Sequence, residues 1–233
     1  MISSAELQQR LGLSRLPIAI AFLDALPANV PAWSGGQVAA GCVFWKRAQE
    51  GEVFYTVPAD HYNCAVGAYT HKIPLPAERA PELEQTIGFM VRNNYIALEE
   101  VPGIPTLPAT PAAIAFGPVD RVPFAPDVVL LAVNPAQAML LYEAAIKAGA
   151  GEALLKSLGR PACAVLPVTQ ATANAAVSFG CIGNRTYTGL PASEMYVSVP
   201  GAKWEALANQ LAIVLVANDA IGDFNRQRQA QFA

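Results

Sequence analysis

Charged side chains are scarce in this sequence of 233 residues: Asp, Glu, Lys and Arg make up only 14% of it, whereas hydrophobic residues make up 53%. Soluble domains usually have about 25% charged residues. A large core with strands covered on both faces lowers the share of charge, and so does an oligomer that hides part of its surface. We expect both features here, with a homodimer as the oligomer.

Basic clusters of any size are also lacking. The net charge is −3 and the pI is near 5.4, and the few basic clusters are as short as Lys46–Arg47. Proteins that bind the phosphate backbone of nucleic acids need a broad basic surface. We therefore do not expect a nucleic acid as a partner.

Long apolar runs are missing too. The longest dense run near the end of the chain, Leu211 to Ala217, is far shorter than the roughly 20 residues that cross a bilayer. The stretch Met1 to Arg10 lacks the basic start and the apolar core of a signal peptide. We expect a cytoplasmic protein that does not contact membranes, in a compartment where thiols stay reduced.

Apolar runs separated by Gly and Pro predict strands interleaved with helices, so the predicted fold class is α/β, with α+β as the alternative and a mixed sheet in either case. The predicted strands are 18–23, 53–57, 112–116, 128–133, 175–179 and 195–199. The predicted helices are a first one that begins at Ser3 or Ser4 and ends at Gly12, then 38–49, 80–95, 136–148, 152–158, 202–216 and 219–229.

The domain organisation is interpreted as a single domain, 1–233, with sub-halves of 1–100 and 110–233 as a variant of it. The reason for the variant is a proline-rich loop from Pro102 to Pro111, which is stiff enough to act as a linker. Each half has a cysteine near a helix start, then a strand, then a second cysteine. Two similar halves of this kind would bring four thiols to one centre.

The cysteines are Cys42, Cys64, Cys163 and Cys181, and no two of them form a Cys-x-x-Cys pair. Zinc ribbons and ferredoxins usually contain such a pair, so their spacing alone leaves buried core thiols as an alternative. The local context favours a metal site. Small residues next to three of the cysteines allow backbone N–H groups to approach sulfur, and Cys163 follows Pro161 at a predicted helix start.

The sequence resembles the uncharacterised cysteine-rich family known as domain of unknown function family 169. The resemblance rests on Leu16–Ile20, on Gly41-Cys42 with Lys46-Arg47-Ala48 and Gly51, on Cys64 with Gly67, on Cys163, on Gly180–Arg185 and on the strand from Glu194 to Pro200. The family pattern has cysteine at all four positions. The resemblance implies that the thiols are used together, and it supplies no established activity.

We interpret the chain as an iron–sulfur protein whose four cysteines bind one [4Fe–4S] cluster, with an electron-transfer, redox-sensing or structural role. A redox protein or a small molecule would be its partner. Gly180, Gly183 and Arg185 are predicted to contact the cofactor, although Arg185 is equally well explained by a loop salt bridge with Glu194.

Three alternatives remain open at this point. Four thiolates also suit zinc, as in a zinc-binding interaction module. A Cys42–Cys64 disulfide is another. The last is a metal-free small-molecule-binding protein or thiol-dependent enzyme, in which Cys64 or Cys181 would have a low pKa. Whether the chain is an enzyme is left open, because Gly-x-Ser-x-Gly and Walker motifs are absent.

The only two histidines, His61 and His71, flank Cys64 in the sequence. A Cys–His pair would activate a thiol. Both histidines stand in a polar stretch beside Asp60 and Lys72, so we expect them on the surface rather than in a catalytic role.

Overall fold

The computed structural model describes residues 4–151, 157–158 and 160–232. Its strands form one mixed sheet in the order β2-β3-β1-β4-β7-β6-β5, in which all neighbours are antiparallel except the parallel pair β5 and β6. The strands are β1 Ile18–Leu23, β2 Phe54–Thr56, β3 Ala113–Pro118, β4 Val128–Val133, β5 Ser157–Leu158, β6 Ala176–Ser178 and β7 Met195–Pro200. The predicted combination of a mixed sheet with helices is confirmed.

The helices surround this sheet. They are α1 Ser4–Leu11, α2 Cys42–Gln49, α3 Ala65–Thr70, α4 Pro81–Arg92, α5 Pro135–Lys147, α6 Val165–Thr172, α7 Ile182–Thr188 and α8 Trp204–Ala230. Short 3₁₀ turns span Pro58–His61, Leu98–Gly103, Ala162–Ala164 and Gly201–Lys203. Across the part of the chain that the structure describes, no helix is both long enough and apolar enough to cross a membrane.

Both faces of the sheet are covered, which is why its strands are apolar without alternation. In β4, Val128 and Leu130 point into one core, which also contains side chains of α2, α3 and α6. Val129 and Leu131 point into the other core, which is formed with α1, α5 and α8. The low share of charged residues therefore reflects a three-layered molecule with two cores.

The start of α5 shows how local sequence sets an element boundary. The Asn134 side chain accepts a hydrogen bond from the backbone N–H of Gln137 at 2.9 Å, and the Gln137 side chain accepts one from the N–H of Asn134 at 2.8 Å. Pro135 stands at the first helical position, where its missing N–H costs nothing. This reciprocal capping begins the helix one residue before the predicted position.

The strand pairing repeats itself about the middle of the sheet. In the first half β3 pairs with β1 and β2, and in the second half β7 pairs with β4 and β6. The halves meet where β1 pairs with β4. Each half thus has the order strand, helix, strand, helix, strand, with α2 and α3 in the first and α6 and α7 in the second. The division of the chain at its proline-rich loop stays a prediction, but β3, which follows that loop, belongs to the first half of the sheet.

Several predicted boundaries are wrong. The two predicted C-terminal helices are the single helix α8, because the polar segment between them contains no residue that stops a helix. Residues 38–41 precede α2 and are not helical, since Gly41 is the residue that caps it. Residues 157–158 form a strand rather than the end of a helix, and the rest of the helix predicted there, 152–156, lies outside the described residues.

Candidate functional site

Each of the four cysteines lies at the start of a helix on the same side of the sheet. Cys42 is the first residue of α2, whereas Cys64 and Cys181 are the residues that cap α3 and α7. Cys163 lies in the 3₁₀ turn that leads into α6. Helix α2 packs against α7, and α3 packs against the turn that contains Cys163. Four helix N-termini, with their free N–H groups, are thereby brought near one another.

The four thiols also interact electrostatically, since every one of the six possible pairs is close enough for one thiolate to raise the pKa of another. Burial is the larger cause. It raises the pKa of Cys42 to about 12, and it raises the pKa values of Cys64 and Cys163 as well. All four residues keep part of their surface exposed, so the thiols line a recess in the apolar core rather than a closed interior.

Backbone N–H groups point at two of the sulfur atoms. The Cys64 Sγ accepts a hydrogen bond from the N–H of Gly67 at 3.3 Å, and the Cys181 Sγ accepts one from the N–H of Asn184 at 3.5 Å. Both pairs are three residues apart, as in ordinary N-caps. A Cβ at position 67 would lie only 2.9 Å from the Cys64 sulfur, so glycine is needed there for this close approach.

Side chains approach the other two sulfur atoms. The Thr70 hydroxyl donates to the Cys163 Sγ at 3.2 Å. The Asn184 amide faces the thiol of Cys42 and lowers its pKa. Asn184 is only 2% exposed, and among the described residues neither of its amide atoms has a hydrogen-bond partner at full geometry. The amide is therefore a buried polar group directed at the recess without a complete partner.

The arrangement of donors follows the two-fold repeat of the sheet. In the first half, α3 supplies the Thr70 hydroxyl to Cys163, which belongs to the second half. In the second half, α7 supplies the Asn184 amide to Cys42, which belongs to the first. Each half thus provides a side-chain donor for a sulfur of the other half, so the recess is a joint product of both.

The expectation that both histidines lie on the surface is wrong. His61 is 2% exposed and His71 is 3% exposed, and their ring centroids are 5.8 Å apart. The Nε2 atom of His61 lies 2.8 Å from the Thr56 hydroxyl. Its Nδ1 faces the residue before Cys42, because a Cβ at Gly41 would come within 3.0 Å of it. Polar neighbours in the sequence misled the prediction, since Lys72 points outward while His71 points inward.

Burial keeps both histidines neutral near pH 7. It lowers the pKa of His61 to about 3, with a smaller effect of the neighbouring His71, and it lowers the pKa of His71 to about 4. Both nitrogens of His71 and the Nδ1 of His61 have no hydrogen-bond partner within the described parts of the chain. No contact between a histidine and a cysteine sulfur is present there either, so the histidines form a second polar cluster beside the recess.

Arg185 is directed at backbone carbonyl groups. Its guanidinium donates to the oxygen of Pro191 at 2.6 Å, to that of Glu194 at 2.8 Å and to that of Phe179. The contact with Glu194 is made with the main chain, not with the carboxylate. The predicted cofactor contact of Arg185 stays a prediction, and its hydrogen bonds favour the role of holding the loop around Cys181 in shape.

Gly180 and Gly183 flank Cys181 as predicted. Gly180 has a φ of +76°, which is the left-handed region that glycine adopts without strain. Gly183 lies in the first turn of α7. Within residues 4–151, 157–158 and 160–232, no group of three or more His, Cys, Asp or Glu side chains is arranged to hold a metal ion. The thiols are thus neighbours that do not surround a single ion position.

Sequence reasoning missed Thr70 and gave Asn184 no role of its own. A usable signal was present for Asn184, because it follows Cys181 by three residues just as Gly67 follows Cys64. A cysteine that caps a helix faces the N–H group three residues later. No comparable signal exists for Thr70, whose contact with Cys163 joins residues 93 positions apart.

Comparison with known proteins gives one match. A family profile, that of domain of unknown function family 169, described as an uncharacterised ArCR, matches residues 6–210. Neither a curated protein nor a solved structure matches the chain. The match spans most of the sequence and includes all four cysteines. The chain therefore belongs to domain of unknown function family 169.

Proposed function

We propose that the protein binds one [4Fe–4S] cluster through Cys42, Cys64, Cys163 and Cys181. The observation that supports this best is the mutual proximity of the four thiols at four helix starts. Isolated core thiols would be scattered among the strands, whereas these four come from distant parts of the chain to one recess. Convergence of this kind is expected of residues that share a ligand.

The chemistry of the donor set fits such a cluster. Four thiolates are its usual ligands, and its sulfur atoms accept hydrogen bonds that tune its potential. The N–H groups of Gly67 and Asn184 and the hydroxyl of Thr70 are donors of this type. The Asn184 amide, which is buried without a complete partner, supplies a further donor. The raised thiol pKa values imply that binding would release protons.

When bound, such a cluster would supply one-electron redox chemistry. Ligation by four cysteines leaves no open coordination position, which favours electron transfer, redox sensing or stabilisation of the fold over activation of a substrate at iron. We extend the proposal to a cytoplasmic setting, because a reducing compartment keeps unpaired thiols available for the metal. A redox protein or a small molecule would exchange electrons with it.

The raised pKa of Cys64 is unfavourable for the thiol-enzyme alternative. A nucleophilic cysteine needs a depressed pKa, because the thiolate is the reactive form. Burial instead raises the pKa of Cys64, which was one of the two candidate nucleophiles. The buried histidines are neutral and contact no sulfur, so neither of them compensates. Zinc remains an outcome that the following experiment distinguishes.

The test is the metal content of the full chain purified without oxygen. We expect a broad brown absorbance, about four irons and about four sulfides per chain, and little zinc. Colourless protein with one zinc per chain would replace the cluster by a zinc centre. Folded protein without any metal, together with unsuccessful reconstitution by iron and sulfide, would contradict both metal proposals.

The Thr70 hydroxyl allows a finer prediction. Replacing Thr70 by valine keeps its shape but removes the donor to Cys163, and a hydrogen bond to sulfur stabilises the more negative, reduced state. We expect the midpoint potential to fall by tens of millivolts, where about 59 mV corresponds to a tenfold change for one electron. Redox titration followed by electron paramagnetic resonance measures it.

The matched control is Thr70→Ser, which retains the hydroxyl. Its midpoint potential should stay close to that of the wild type. Equal shifts in Thr70→Val and Thr70→Ser would mean that packing of the methyl group, rather than the hydrogen bond, is responsible.

A further inference from the structure

Helix α8 continues far beyond the body of the protein. Its last residue in the core is Leu215, and every described residue from 216 to 232 is exposed apart from Gly222. Fifteen helical residues follow Leu215, which corresponds to about 22 Å of helix. We call this segment the α8 tail.

An isolated helix of this length is marginal in water, because most helical stability in proteins comes from packing of an apolar face. Gly222 adds to the problem, since an interior glycine costs about 1 kcal/mol relative to alanine. The α8 tail therefore needs a partner surface to be stable as a helix.

The tail has an apolar face suited to such a partner. Its exposed apolar residues recur at intervals of three and four, which places them along one side of the helix. The four large ones are between 58% and 65% exposed. This apolar stripe comprises Ile213, Val216, Ala217, Ala220, Ile221 and Phe224.

We propose that the apolar stripe binds the same stripe of a second copy of this chain, in a parallel, two-fold symmetric helix pair. A two-fold interface is formed by one patch that is complementary to itself. Ala217 and Ala220 lie at the centre of the stripe, where small side chains allow close approach of two helices. The larger residues on either side fill the remaining space.

Charge complementarity determines the parallel direction. Asp223 and Arg228 are five residues apart, so they lie on opposite flanks of the stripe. Asp223 contacts Arg226 of its own helix, and Arg228 lies over the Phe232 ring, so both charges stay at the helix surface. In a parallel pair the acidic flank of one helix faces the basic flank of its partner, as at the g and e positions of coiled coils. In an antiparallel pair, like flanks would face each other.

The area available is also sufficient. Usual burial energies correspond to roughly 100 Å² of apolar surface for each large side chain. Four such side chains in each of two copies give roughly 800 Å² of apolar area, and interfaces are about 60% apolar. The implied total is near the lower limit of about 1,200 Å² for specific interfaces.

A membrane surface is the less suitable occupant. Helices that lie on membranes have polar faces rich in Lys and Arg. In the α8 tail the acidic residues Asp219 and Asp223 balance the basic residues Arg226 and Arg228. This balance provides no attraction to anionic lipids.

Sedimentation velocity of the full chain in reducing buffer tests the proposal independently of any metal. We expect the wild type to be a dimer. Ile221→Asp should weaken dimerisation about a hundredfold or more, because it removes one large apolar contact from each copy and adds two charges. Asn225→Asp, with the same charge change away from the stripe, should remain a dimer.

Charge reversal tests the direction of pairing. Asp223→Arg and Arg228→Asp should each weaken the dimer, because like charges then face each other. The double variant should restore it. Absence of this rescue would overturn the parallel pair, and a dimer that survives Ile221→Asp would overturn the stripe as the interface. A monomeric wild type that sediments with phosphatidylglycerol vesicles would assign the stripe to a membrane instead.

Discussion

Replacing Cys163 by serine is expected to abolish the iron–sulfur chromophore and to reduce bound iron from about four per chain to less than about one. Cys163 is the informative position because it interacts with all three of the other thiols. A serine hydroxyl does not ionise near neutral pH, so the substitution removes one thiolate ligand with little change of volume. Absorbance and iron analysis of anaerobically purified protein provide the measurement.

The other three cysteines should behave in the same way, because four ligands of one cluster are equivalent in need. A Cys42–Cys64 disulfide predicts a different pattern, in which only those two substitutions have an effect. The matched control is Ile182→Ser, which places a serine next to Cys181 at a position that is 66% exposed. That variant should keep its full iron content. Full iron in Cys163→Ser, with unchanged circular dichroism, would contradict the proposed ligand set.

The two-fold repeat explains why four cysteines without any short spacing motif can share one site. Each half of the sheet contributes two helices whose first residues face the centre, and the pairing of β1 with β4 brings the halves together. Ligands that belong to one local loop need a Cys-x-x-Cys pair, whereas ligands at helix starts of two halves do not. The irregular spacing is therefore a consequence of the architecture and is no argument against a shared site.

Much of the fold could be predicted because its signals are local. Apolar runs such as those of β1 and β4 predict buried strands, and the cap at Asn134 predicts the start of α5. The site was predictable in its residue types and in the helix starts near Cys163 and Cys181. These inferences depend on a few neighbouring residues only.

The parts that were missed depend on contacts between distant residues. The burial of His71 is set by α3 and its neighbours, and the contact of Thr70 with Cys163 is made across the repeat. The continuity of α8 was missed for a different reason, because its apolar stripe faces outward and made the tail seem polar when averaged. Local hydrophobicity contains no record of which face is covered.

Acidification is expected to destabilise the protein strongly between pH 7 and pH 5, on account of the two buried histidines. Their pKa values are about 3 for His61 and about 4 for His71 in the folded protein, both below the usual 6.5. As the pH falls below 6.5, the unfolded chain takes up protons at these sites while the folded chain does not. The stabilisation is therefore complete above about pH 6.5 and is lost toward lower pH.

The magnitude follows from the same linkage. Each histidine contributes a loss of about 2 kcal/mol in the free energy of unfolding between pH 7 and pH 5, so together they contribute about 4 kcal/mol. That is a large part of the 5–15 kcal/mol typical of folded domains, here taken as an approximate range. Urea unfolding of the full chain at a series of pH values measures the loss.

His71→Phe separates the histidine effect from every other source of pH dependence. Both nitrogens of His71 lack partners among the described residues, so an apolar ring of similar shape forfeits no hydrogen bond seen there. The variant should lose about 2 kcal/mol less than the wild type over the same pH interval. Lys72→Gln, at the exposed neighbouring position, should retain the whole loss, because lysine does not titrate in this interval. If His71→Phe and the wild type lost equal stability, the ring of His71 would have to be accessible to protons in the folded protein, and its burial between α3 and the sheet would be incorrect.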